Sequence, residues 1–238
     1  MGYWDDVFGS DRDNRRHVRL PVPDNLYINT MLVSSINKET SVTIDRPDLI
    51  SYNVTEEMET KIREHLQFIE SLFAQQCSQK KLTIRPVWGP VATGKPEIYK
   101  ILAETVGEEY NDQLKNIFNL FKKGHFPEID LVIMYVIGNQ LGTGNQARSY
   151  YRTFDDDPHP HFFIVMSETA TWELLAHELG HILNYSNING PKNDPHPKEG
   201  DPGHNKNEGN LMYPTVTTTE ITEQQCNQFF ESKIIRTP

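Results

Sequence analysis

A short segment with two histidines one helical turn apart constrains this chain more than any other part of its sequence. The run from His177 to His181 reads His-Glu-Leu-Gly-His, within an apolar stretch that predicts a helix over residues 171–184. Because residues i and i+4 share one helix face, both imidazoles can reach a single ion. Glu178 is rotated by about 100° from His177, so its carboxylate can face a water molecule beside that ion without being a ligand.

The apolar residues along the rest of the chain predict alternating helices and strands, an α/β (α+β) arrangement. Thr55 can cap a helix whose apolar stripe continues to Phe73, and the β-branched run 129–137 suits a central strand. The other predicted elements are strand 82–88, helix 108–123, edge strand 148–154, strand 161–166 and helix 220–235.

Composition narrows the possible partners. The 238 residues include 23 Lys and Arg against 33 Asp and Glu, a net charge of −10, which argues against nucleic-acid binding. No apolar run approaches the roughly 18 residues of a membrane span, and the polar N-terminus is unlike a secretory signal. We therefore expect a cytoplasmic protein by default, with export by a dedicated secretion route as the alternative.

Cys77 and Cys226 are expected to be buried thiols rather than one bridge.

Two stretches together resemble the metzincin clan of zinc-dependent endopeptidases. They are Leu174–Asn184 (LLAHELGHILN) and Asn210–Pro214 (NLMYP). The clan's extended motif is His-Glu-x-x-His-x-x-Gly-x-x-His, and a methionine turn lies beneath its metal. The resemblance implies a metzincin-like zincin domain over residues 55–238, with a twisted mixed sheet, backing helices, an active-site helix, the methionine turn and a C-terminal helix. Residues 1–54 then form an N-terminal extension of uncertain role.

The sequence departs from that motif at two positions. Asn184 replaces the glycine, and Asn tolerates the left-handed conformation that ends a helix. Asn187 replaces the third histidine, and a neutral amide oxygen is a poor zinc ligand. We therefore expect the third ligand further along the polar loop 185–210.

The candidates for the third ligand in this loop are Asp194, His196, Asp201 and His204. His204 is preferred because it lies eight residues before Met212. This spacing is similar to that of some bacterial metzincin-like sequences with a displaced histidine.

The resemblance implies a zinc-dependent endopeptidase that acts on protein or peptide substrates. One catalytic Zn²⁺ would be held by His177, His181 and His204, with Glu178 as the general base for the attacking water. Met212 would pack beneath the three imidazoles. The strand 161–166, or the one before it, would border the cleft, where an extended substrate could add as a further strand.

Three alternatives stay open at this point. One is a zinc hydrolase that acts on a non-peptide amide. Another is a non-catalytic binding or effector protein with a degenerate site, since the histidine expected at position 187 is missing. The third is a gluzincin-type site that takes its third ligand from Glu220 or Glu223 on the last helix.

Overall fold

The computed structural model describes residues 25–35, 37–41, 50–77, 81–88, 101–108, 114, 129–154, 157–185 and 193–237. The helices are α1 (Glu56–Gln76), α2 (Trp172–Tyr185) and α3 (Glu223–Phe230), with a short 3-10 turn at Ala103–Thr105. The strands are β1 (Asn25–Ser34), β2 (Asn37–Ser41), β3 (Ile50–Val54), β4 (Lys81–Trp88), β5 (Leu131–Val136), β6 (Ala147–Phe154), β7 (Asp157–Ser167), β8 (Pro197–Lys198) and β9 (Asp201–Asn205).

Five of these strands form one mixed sheet in the order β4-β1-β5-β7-β6. Neighbouring strands from β4 to β7 run parallel, and β6 pairs with β7 in the antiparallel direction at the sheet edge. The predictions of a central strand at β5 and an edge strand at β6 are therefore confirmed. The mixed sheet and its three helices also confirm the α+β fold class.

Both faces of the sheet are buried, which explains why every residue of β5 is apolar and buried. One face packs against α1, α2 and α3 through a cluster that includes Phe73, Tyr135 and Leu179. The other face packs against residues 101–106 and Leu114. The helix predicted to carry His177 and His181 is α2, and it packs on the helical face of the sheet, the one that also contacts α1 and α3.

The helix predicted from Thr55 is confirmed, and the last helix is shorter than predicted. The Thr55 side chain accepts a hydrogen bond from the Met58 amide and caps α1. A capping box formed by Thr222 starts α3 three residues after the predicted start. The chain then leaves the helix after residue 230, because Arg236 pairs with Tyr27 beside the sheet. The helix predicted at 108–123 lies outside the described residues except at its first position and at residue 114.

The segment predicted as an N-terminal extension contributes a strand to the sheet. β1 lies between β4 and β5 and pairs with both. Its partners are more than 45 positions away in sequence, so the pattern of this segment alone could not reveal the pairing. The domain boundary at residue 54 stays a prediction.

Cys77 and Cys226 form a disulfide, so the expectation of two free thiols is wrong. Cys77 ends α1 and Cys226 lies in α3, and packing of these helices brings the two Cα atoms to 5.4 Å. A separation of 149 residues hides this proximity in the sequence. Within the described part of the chain, no helix is long and apolar enough to cross a membrane.

Candidate metal centre

Three histidines from two segments come together beside the sheet. His177 and His181 lie on α2, and His204 lies on β9. One ring nitrogen from each lies within 4.8 Å of the other two. The Nε2 atoms of His177 and His181 are 3.0 Å apart, as the i, i+4 spacing predicts for side chains aimed at one point. Among the described residues, this is the only group of three or more His, Cys, Asp or Glu side chains arranged to hold a metal.

Hydrogen bonds fix the orientation of two of the rings. The Nδ1 atom of His177 donates to the Leu211 carbonyl at 2.7 Å. The Nδ1 atom of His204 lies 2.8 Å from the Asp201 carboxylate, which can only accept when ionised. In the neutral form of each ring, a proton on Nδ1 satisfies this contact and leaves Nε2 with a lone pair for a metal.

Burial favours the unprotonated, metal-binding form of the two helical imidazoles, His177 and His181. Burial lowers the pKa of His177, although the neighbouring Glu178 carboxylate opposes the shift. Burial also lowers the pKa of His181 well below its usual value, with further lowering from the other two histidines. Three imidazoles placed together form a donor set that suits zinc, copper, iron or nickel. The side chains present therefore fit a metal ion.

Glu178 lies beside this cluster and is 9% exposed. It lines the same cleft of about 820 Å³ as the three histidines. Residues 145–151, most of them in β6, form one side of the cleft, and α2, Pro202, Gly203, Pro214 and Val216 lie around the rest. A carboxylate, three imidazoles and the edge strand of the five-stranded sheet therefore line one cavity.

Met212 packs against α2 at Gly180. It is fully buried. A Cβ atom built on Gly180 would overlap the Met212 sulfur, so the two residues are in close contact. The Met212 amide donates to Asn210 Oδ1 at 2.9 Å, and this turn presents the Leu211 carbonyl to His177. The proposed likeness to a methionine turn stays a prediction.

The other candidate ligands lie outside the histidine cluster. Asp201 contacts His204 instead of joining it as a ligand. Asp194 is buried and accepts hydrogen bonds from the amide of His196 and from two side-chain amides. His196, Glu220 and Glu223 are likewise absent from the cluster. Asn187 lies outside the described residues, and the Asn184 side chain accepts a hydrogen bond from Gln228.

Sequence reasoning missed the groups that hold the ligands. The Leu211 carbonyl belongs to the backbone, so no residue type could signal its contact with His177. The spacing of Asp201 three residues before His204 was a usable signal for a carboxylate–imidazole pair. The side-chain network around Asp194 depends on α3, which is distant in sequence.

The fold is similar to that of metalloproteinase-II from Bacteroides fragilis, with a TM-score of 0.50 and 14% sequence identity. The match covers 90% of this chain and 57% of that one, so the chain spans little more than half of that protein's length. A solved chaperone-substrate complex matches with a TM-score of 0.45 and 16% identity, over 89% of this chain and 35% of that one. No protein-family profile and no curated protein sequence matches the chain.

Proposed function

We propose that this chain is a zinc-dependent endopeptidase in which His177, His181 and His204 bind one Zn²⁺. The observation that carries the proposal is the convergence of three imidazoles beside a buried glutamate in a single cleft. The likeness in fold to the Bacteroides metalloproteinase is consistent with it. The presence of His204 in the cluster also argues against a site degraded by the missing histidine at position 187.

Glu178 is the general base in this proposal. Zinc, when bound, supplies Lewis acidity and lowers the pKa of a water molecule. The Glu178 carboxylate accepts the proton of the attacking water and then delivers it to the departing amine. Its place next to His177 on α2 puts it in the same cleft as the three histidines.

The edge strand β6 supports a peptide as the substrate. In the five-stranded sheet, β6 has a neighbour only on the β7 side, and residues 147–151 line the cleft. Such an edge offers backbone N–H and C=O groups to an extended chain. A peptide paired with β6 would lie along the cleft that contains Glu178 and the histidines.

The disulfide bears on where the protein works. Disulfides persist in oxidising compartments and are rare in the cytosol. The Cys77–Cys226 bond therefore favours the export alternative over the cytoplasmic default. To test this, the protein's own cells are lysed directly into an alkylating reagent and the alkylated cysteines are counted by mass spectrometry. Alkylation of both cysteines would argue for the cytoplasm.

A peptide-library digest tests the proposed activity. Zinc-loaded wild type is incubated with a proteome-derived peptide mixture, and new termini are identified by mass spectrometry. We expect internal cleavage by the wild type and a loss of about 100-fold or more in Glu178→Gln. The variant should bind zinc as tightly as the wild type, because Glu178 is not a ligand. Zinc binding without any cleavage, or equal cleavage by both proteins, would contradict the endopeptidase proposal.

A further inference from the structure

We infer that Asp194 is a positioning residue for the metal centre, because its buried carboxylate holds two of the three histidines through neighbouring amides. The inference rests on the proposed metal site but not on the peptidase reaction. Asp194 is 2% exposed. It therefore acts from within the protein rather than from the cleft.

The Asp194 carboxylate is bound by three N–H donors. Its Oδ1 accepts from the His196 amide at 2.8 Å and from Asn205 Nδ2 at 2.7 Å. Its Oδ2 accepts from Gln225 Nε2 at 2.6 Å. Hydrogen bonds to a buried charge are strong, and a buried carboxylate without them is very unfavourable. These bonds therefore keep the residues around Asp194 in one arrangement.

One branch of this network leads to His204. Asn205 follows His204 directly and is 1% exposed. Its side chain donates to Asp194, and its backbone amide donates to the Met212 carbonyl at 2.7 Å. Asn205, the last residue of β9, is thus held by both its side chain and its backbone, and this sets the position of the preceding residue, His204.

A second branch leads to His177. Gln225 and Asn210 exchange two side-chain hydrogen bonds of 2.8 Å. Asn210 Oδ1 also accepts from the Met212 amide, which closes the turn around Leu211. The Leu211 carbonyl accepts from His177 Nδ1. Asp194 therefore reaches this ligand through Gln225 and the turn.

The network has the properties needed for precise positioning. Asp194, Asn205, Asn210 and Gln225 are all at least 98% buried. A satisfied buried network is rigid, whereas a partly satisfied one is costly and permits other arrangements. Metal ligands need placement within about 0.5 Å, so disturbing Asp194 should weaken metal binding even where the fold survives.

The test is the zinc affinity of Asp194→Asn in the full chain. In this variant, the side-chain oxygen can keep the two hydrogen bonds that Asp194 Oδ1 accepts. The new NH₂ group then lies opposite Gln225 Nε2, so two hydrogen-bond donors face each other. We expect the dissociation constant for zinc, measured by chelator competition, to rise about 10- to 100-fold. The visible spectrum of the Co²⁺-substituted protein should change as well, because the ligands shift.

Two further variants separate positioning from general stability. In Asp194→Asn/Gln225→Glu, the carboxylate moves to the partner, and we expect part of the zinc affinity to return. Asp130→Asn is the matched control, since the Asp130 carboxylate also accepts from neighbouring N–H donors, of Asn29 and Arg236, but does not belong to the network that leads to His177 and His204. It should lower the thermal midpoint and leave the zinc dissociation constant unchanged.

If Asp194→Asn does not fold, Asn205→Ala replaces it, because this change removes only one of the three donors. We expect it to weaken zinc binding toward the lower end of the same range. Wild-type zinc affinity in a folded Asp194 or Asn205 variant overturns the inference and leaves the proposed function intact. If the variants bind zinc more weakly and the wild type cleaves no peptide, the inference is supported and the proposed peptidase function is overturned.

Discussion

At the scale of single residues, His204 and His177 are held in place by different hydrogen-bond partners. Its Nδ1 is held by Asp201, and its side chain is 23% exposed where it meets the cleft. His177 is held by a backbone carbonyl instead and is almost fully buried. Sequence alone could identify the i, i+4 pair on α2, because helix geometry determines it. The position of His204 depends on a loop conformation, so only the resemblance to a known motif pointed to it.

His65 carries a pH dependence of stability that is separate from the metal centre. Burial lowers its pKa to about 4, and Lys61 adds to this while Glu173 opposes it. The ring is buried against the Tyr135 hydroxyl, with 2.9 Å between Nδ1 and the hydroxyl oxygen. The unfolded chain binds a proton near pH 6.5 and the folded one does not, so stability falls as the pH drops from about 6.5 towards 4.

We expect this one histidine to account for up to about 3 kcal/mol of that loss. Urea unfolding of the metal-free protein at pH 7 and pH 4.5 measures it. His65→Gln can keep a hydrogen bond to Tyr135 but cannot titrate in this range. The variant should therefore lose clearly less stability between the two pH values than the wild type. Equal losses in both proteins would show that His65 is protonated in the fold.

At the scale of elements, apolar spacing predicted α1 and α2 because each buries one helix face, and a continuous β-branched, apolar run predicted β5, which is buried on both faces. The extent of α3 was missed, since its start is set by Thr222 and its end by pairing of the following chain with β1. The resemblance implied that Met212 lies beneath the imidazoles, but its close contact with α2 at Gly180 has no local signal in the sequence. It depends on the missing side chain at Gly180, whose helical position gives no sign of a close neighbour.

Gly180→Ala tests that contact. Alanine favours a helix by about 1 kcal/mol over glycine, yet here its Cβ would overlap the Met212 sulfur. We expect the free energy of unfolding to fall by about 1–3 kcal/mol from overpacking. In a Met212→Ala background, the same substitution should be neutral or stabilising. A stabilising effect of Gly180→Ala in the wild-type background would show that Met212 does not pack closely on α2.

At the scale of the whole molecule, the chain joins distant segments around the helical face of the sheet. The disulfide links the end of α1 to α3, and α3 holds Asp194 and Asn210 through Gln225, the neighbour of Cys226. Arg236 returns to Asp130 and to the backbone of β1. The disulfide and the contacts of Arg236 each connect residues more than 100 positions apart, and no local pattern in the sequence predicts them.

The disulfide should be a major contributor to stability. Closing a loop of 149 residues restricts the unfolded chain strongly. We expect the double variant Cys77→Ala/Cys226→Ala to lose about 2–5 kcal/mol of unfolding free energy in urea titrations. The reduced and alkylated wild type should show a similar loss. Identical stability of the oxidised protein and the double variant would contradict a formed Cys77–Cys226 bond.

We propose that three histidines from α2 and β9 bind one zinc ion. The most direct measurement is the zinc content per chain of purified wild type, His204→Ala and His196→Ala. His196 serves as the matched control, because it lies in the same loop outside the cluster. We expect about one zinc in the wild type and in His196→Ala, and little or none in His204→Ala. Full zinc in His204→Ala, or none in the wild type after zinc is supplied, would contradict this account of the site.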